Sequence, residues 1–154
     1  RQMCIRDRGA TVTGPDGKAH PLQCAHTKNP ALALVATGFG YDAQRRAAQA
    51  ELLTKLLPQV RDIRRIGAAA LDLCRVAEGT VDAYFEHGIN AWDFAAGAVI
   101  AREAGAVVHH PGFEKGSAQG ELTWPRGQIW PPPLRNFWQH TTPQARCGGN
   151  SFPR

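Results

Sequence analysis

No apolar stretch in this 154-residue chain approaches the roughly 18 to 20 residues that a membrane-spanning helix needs, so the sequence offers no such helix. Cysteine is sparse, and Cys4, Cys24, Cys74 and Cys147 show no paired spacing. That argues against a disulfide framework and fits reduced thiols in a cytoplasmic protein. Cys24-Ala25-His26 together with His109-His110 offers zinc-type ligands, but no second pair stands at a spacing that closes a tetrahedral site. The chain also lacks the apolar core of a secretory signal peptide near its start.

Acidic residues are missing altogether from 125–154, and this matters for the net charge of +5. Residues 9–124 carry 11 Lys or Arg against 12 Asp or Glu, a net of −1; the first eight residues contribute +2 and the last thirty +4. A nucleic-acid-binding domain gathers its basic residues on a folded face. Here the excess lies at the two ends, so nucleic acid is not the expected partner, and a binding module recruiting it through those ends is the non-enzymatic alternative.

The ends differ from the middle in texture as well. Past Glu121 stand Trp124, Trp130 and Trp138 and the run Pro131-Pro132-Pro133, with no period of 3.6 or 2 from which to assign an element. The opening Arg1-Gln2-Met3-Cys4-Ile5-Arg6-Asp7-Arg8 is similar to translated adapter-derived sequence, and the tail has the texture of a reading-frame shift. The expected organisation is a leader over 1–8, a domain portion over 9–124 and a tail over 125–154, each end artefactual or disordered.

Within the middle, Gly14-Pro15-Asp16-Gly17 supplies turn chemistry between two short runs and predicts a hairpin across Ala10–Leu22. Ala31–Thr37 is apolar and short enough for a buried strand. Asp42 is placed to cap a helix in which Ala47, Leu52, Leu53, Leu56 and Leu57 recur at helical spacing until Pro58. After a mixed segment over Val60–Ile66, a second helix opens at Gly67-Ala68-Ala69-Ala70, with Leu71, Cys74 and Val76 or Ala77 facing inward, and ends near Gly79. Val81–Glu86 is β-branched and aromatic, which predicts a strand. A third helix runs from Asp93 to about Ala104, and Ala106–His109 returns as a strand. Its small residues Ala95, Ala96, Gly97, Ala98 and Ala101 suit close packing, expected against the sheet. Alternating strands and helices predict a layered α/β architecture with a mixed sheet.

Chemistry concentrates in Glu86-His87-Gly88-Ile89-Asn90-Ala91-Trp92-Asp93. A strand ending in a carboxylate, a glycine turn and a second carboxylate at a helix start place two acids beside the positive end of a helix dipole. Such a pair can hold a hard cation or a polar ligand. Taken alone, Asp93 reads first as a helix cap without any ligand.

The stretch Trp92-Asp93-Phe94-Ala95-Ala96-Gly97, continuing through an apolar helix to Glu103-Ala104-Gly105, resembles the C-terminal signature of the inositol monophosphatase family. Arg65-Ile66-Gly67-Ala68-Ala69-Ala70-Leu71 is similar to that family's Gly-Ser-Ala-Ala-Leu helix start, and Ala36-Thr37-Gly38-Phe39-Gly40-Tyr41 to the Thr-Gly-Phe turn of its bacterial members. Over Gly9–Leu122 the resemblance implies the C-terminal half of a layered αβαβα sugar-phosphatase sandwich. It implies that Asp93 binds a catalytic Mg2+ near the substrate, that Glu86 accepts a ring hydroxyl, and that Ala69 contacts the ring through its backbone. The implied reaction is hydrolysis of a phosphate monoester such as inositol monophosphate; histidinol-phosphate or a nucleotide phosphate is the alternative substrate. The full-length parent is expected to be a cytoplasmic homodimer. The family's Asp-Pro-(Ile or Leu)-Asp-Gly-Thr motif, which supplies most metal ligands, does not occur here, because the only Asp-Gly is Asp16-Gly17. The chain alone is therefore expected to be inactive.

Overall fold

The computed structural model describes residues 2–5, 9–114, 116 and 122–126, so the expectations for the remainder of the leader and for the tail beyond Arg126 lie outside the described residues. Strands β1 (Gln2–Ile5), β2 (Gly9–Thr13) and β3 (Ala19–Pro21) form an antiparallel sheet. The β2–β3 hairpin turns through Gly14–Lys18, as the Gly-Pro-Asp-Gly cluster predicts, and Gly17 N–H donates to Gly14 O across 3.0 Å.

A second, five-stranded sheet has the order β5 (Asp62–Arg64), β4 (Leu34–Thr37), β6 (Ala83–His87), β8 (Leu122–Arg126), β7 (Val107–His109). The first three strands are parallel and β8 is antiparallel to both its neighbours, so the sheet is mixed, as expected. Strand β8 falls where the sequence pattern supports no element. Its ladder partners on both sides, not its own periodicity, fix it as a strand.

Helix α1 (Ala43–Leu56) covers one face of this sheet; α2 (Ala69–Ala77) and α3 (Ala91–Glu103) cover the other. Alternation along the strands makes this possible. On β4, Val35 enters the cluster with Leu52 and Leu56 of α1, while Ala36 enters the cluster with Leu73, Val76 and Phe94. On β6, Ala83 and Phe85 face α1 and Tyr84 faces α2 and α3. The three-stranded sheet lies beyond α3: Gly9 N–H donates to Glu103 Oε2 (3.1 Å) and Cys24 N–H to Ala104 O (2.9 Å). Helix, sheet, helix pair and sheet thus stack as α/β layers.

Several local expectations change. A 3-10 turn over Pro30–Leu32 replaces the first part of the expected strand, because Asn29 caps it by accepting from Ala31 N–H. In α2 the buried stripe is Asp72, Leu73, Val76 and Ala77, whereas Leu71 is 55% exposed and Cys74 only half-buried. The small residues of α3 do not share one buried face either: Gly97, Ala98 and Ala101 are buried, Ala95 is half-buried and Ala96 exposed. Gly97 serves the neighbouring helix and not the sheet. A Cβ there would lie 2.6 Å from Leu73 Cβ and 3.2 Å from Ala70 O.

Candidate active site

The carboxyl ends of β5, β4 and β6 point the same way because the three strands are parallel, and the loops that leave them converge. Each loop leads towards the N-terminus of a helix. Gly38–Asp42 joins β4 to α1, Arg65–Ala68 joins β5 to α2, and Gly88–Asn90 joins β6 to α3. The result is a cleft of about 380 Å³ whose lining includes Gly38, Arg45, Arg65, Ala69, Glu86 and Asp93. All three residues singled out from sequence, Ala69, Glu86 and Asp93, meet there.

Asp93 sits in the first turn of α3 and not ahead of it. The helix begins at Ala91, and Asp93 Oδ2 accepts from Asn90 N–H at 2.9 Å in a capping box. One carboxylate oxygen is thereby committed to the helix. Gly88, with φ of 72°, makes the turn that sets this helix start beside the end of β6.

Glu86 leaves the end of β6 beside the loop after β4. Tyr84, two residues earlier on the same face of the strand, is fully buried and donates its hydroxyl to Glu86 Oε2 at 2.8 Å. Burial pushes the Glu86 carboxyl above its ordinary range; the Tyr84 hydrogen bond and the Arg65 charge oppose that, and the nearby Asp93 charge adds to it. Burial, reinforced by the charge of Glu86, likewise raises the Tyr84 hydroxyl far above its usual value, so it stays a donor.

Ala69 opens α2. Leu71 and Asp72 N–H both close on Ala68 O, and Ala69 supplies one of the unsatisfied donors of the helix start, at the positive end of its dipole. The Gly38–Gly40 turn is held from below by Gln49, a buried polar residue of α1. Its Oε1 accepts from Gly40 N–H at 3.1 Å and its Nε2 donates to Gly38 O at 3.3 Å. A glutamine on the apolar side of a helix was the available sequence signal for that clamp.

Sequence reasoning also missed Asp72. It is 1% exposed, and both its carboxylate oxygens lack a hydrogen-bond partner among the described residues. Burial first, then the charge of Glu86, raises its pKa to about 6, against weaker pulls from Arg75 and Arg65. Its signal was an acid inside the apolar stripe of α2. The zinc-type grouping does not form a centre: among the described residues, no three His, Cys, Asp or Glu side chains are arranged to hold a metal ion.

The profile of the inositol monophosphatase family matches residues 3–139. The chain belongs to that family. Among its relatives is an inositol-1-monophosphatase of Mycobacterium leprae, 56% identical over 103 residues that make up 67% of this chain and 35% of that protein. A protein of Salmonella typhimurium named Nus factor SuhB is 47% identical over 104 residues, 67% of this chain and 37% of that one. The structure of Mycobacterium tuberculosis SuhB superposes with a TM-score of 0.76 at 42% identity, covering 90% of this chain and 54% of that one. The chain thus spans about a third of the length of the curated family members it matches. No helix among the described residues is long and apolar enough to cross a membrane.

Proposed function

We propose that this chain is the polyol-binding portion of a Mg2+-dependent phosphatase acting on inositol monophosphate, and that it contributes one metal carboxylate. The convergence of Glu86, Asp93 and the start of α2 on one cleft carries this reading. Glu86 and the Ala69 N–H offer an acceptor and a donor to ring hydroxyls. Asp93 keeps one oxygen free of the capping box, a hard donor of the kind Mg2+ prefers. It fits the ion in chemistry but not in number, since about six oxygens surround Mg2+. The other ligands belong to the motif this sequence lacks. Bound Mg2+ supplies charge neutralisation at the phosphoryl group and a more acidic attacking water.

Titration of the purified chain with myo-inositol 1-phosphate, with and without Mg2+, tests the assignment. Tighter binding with Mg2+ is expected, with that increment lost in Asp93→Asn and affinity reduced in Glu86→Gln. Binding indifferent to both substitutions would sink it.

A further inference from the structure

Two residues set where the Glu86 carboxyl group can lie, one by leaving room for it and one by bonding it. The first is Gly38, which is buried at the end of β4. A Cβ built there would overlap the Glu86 carboxyl group, meeting Oε2, Cδ and Oε1. The carboxyl group thus occupies the volume that any other residue at position 38 would fill. The second is Tyr84, whose buried hydroxyl donates to Oε2 at 2.8 Å. The carboxylate keeps acceptor capacity beyond that bond, and Glu86 lines the cleft.

We propose that Gly38 and Tyr84 are positioning residues for Glu86, Gly38 by leaving the volume that its carboxyl group occupies and Tyr84 by its hydrogen bond, so that the carboxylate is presented in one pose to one ligand hydroxyl. The inference rests on the polyol reading of the cleft and adds to it where hydroxyl selectivity comes from. A glutamate side chain is free to rotate about three bonds, and fixing it before the ligand arrives removes an ordering cost from binding. A fixed acceptor also discriminates: a ligand lacking the matching hydroxyl leaves the half-buried carboxylate without that bond, which costs more than a neutral missing contact. Gln49 supports the arrangement from beneath by bonding both Gly38 O and Gly40 N–H, so the glycine cannot drift away from the carboxyl.

The test compares binding of myo-inositol 1-phosphate and of its single-deoxy analogues to the 154-residue chain in Mg2+ by ligand-observed NMR. In the wild type, one analogue is expected to bind roughly tenfold or more weakly than the parent ligand, as the loss of a hydrogen bond to a charged group implies. Tyr84→Phe, which keeps the ring and removes only the hydroxyl, is expected to bring that ratio close to one while leaving the affinity for the disfavoured analogue unchanged. Gly38→Ala is expected to do the same where its amide spectrum shows a folded chain. A purely structural effect would weaken all ligands together and preserve the ratio. Retention of the wild-type ratio in Tyr84→Phe overturns the inference while leaving the polyol reading intact. Failure of the wild type to bind, or an unchanged ratio in Glu86→Gln, overturns the polyol reading and the inference with it.

Discussion

Buried Asp72 and half-buried His87 show how much a single desolvated ionisable group can bias this molecule. The folded-state pKa of Asp72 is about 6 against an ordinary 3.8. A raised acid favours the folded state at low pH, and that advantage is lost as pH rises through 6. His87 acts the opposite way. Burial, with the Arg45 charge second, lowers it to about 4 from 6.5, so stability is lost as pH falls below 6.5. Removing the acid unmasks the histidine. Asp72→Asn is expected to be more stable than the wild type at pH 7, to match it near pH 4, and to lose stability more steeply on acidification. Urea denaturation at intervals between pH 4 and pH 7 checks this; a constant offset across that range would show that Asp72 is not responsible.

Among the elements, α3 depends on its neighbours more than on its own composition. Gly97 lets the helix approach α2 closely, and the Cβ it lacks would meet Leu73 and a backbone carbonyl. Gly97→Val should therefore destabilise the fold by about 1–3 kcal/mol through overpacking, read as a lower thermal midpoint, although valine is no worse than glycine as a helix former. Helix α1 is a local affair by comparison. Asp42 Oδ1 accepts from Arg45 N–H at 2.8 Å, and Asp42→Ala should cost about 1 kcal/mol by the same measurement. The sequence predicted this cap and this helix because both signals lie within a few residues. The inward face of α2 was misplaced by the same local method. Leu71 looks like core, but the orientation of α2 against α3 turns it outward and buries Asp72 instead.

For the whole molecule, the site is assembled from three loops at the ends of three parallel strands, and on the proposed reading it holds one of the carboxylates that bind Mg2+. The purified chain is expected to release no phosphate from myo-inositol 1-phosphate in Mg2+ at any pH between 6 and 9, as followed by a phosphate-release assay. Magnesium-dependent turnover abolished by Asp93→Asn would contradict this and would mean that ligands from elsewhere in the chain complete the centre. The basic ends call for a separate check. Residues 9–124 carry a net of −1, so a chain trimmed to that range should show no salt-sensitive retention of RNA, measured by filter binding.

Local signals in the sequence determined the hairpin turn at Gly14–Gly17, the capped helix after Asp42, the alternation of strands and helices, and the family's marks around Asp93 and Ala69. Each of these depends on residues close together in the chain, where turn chemistry, capping and periodicity act. Tertiary structure decided what depends on distant residues meeting. It made a strand of Leu122–Arg126 by pairing it on both sides, turned Asp72 into the core, and brought Gly38 of one strand end beneath the carboxyl group of Glu86 on the next. No period or spacing encodes that last contact, because 48 residues separate its partners and only the parallel register of β4 and β6 joins them.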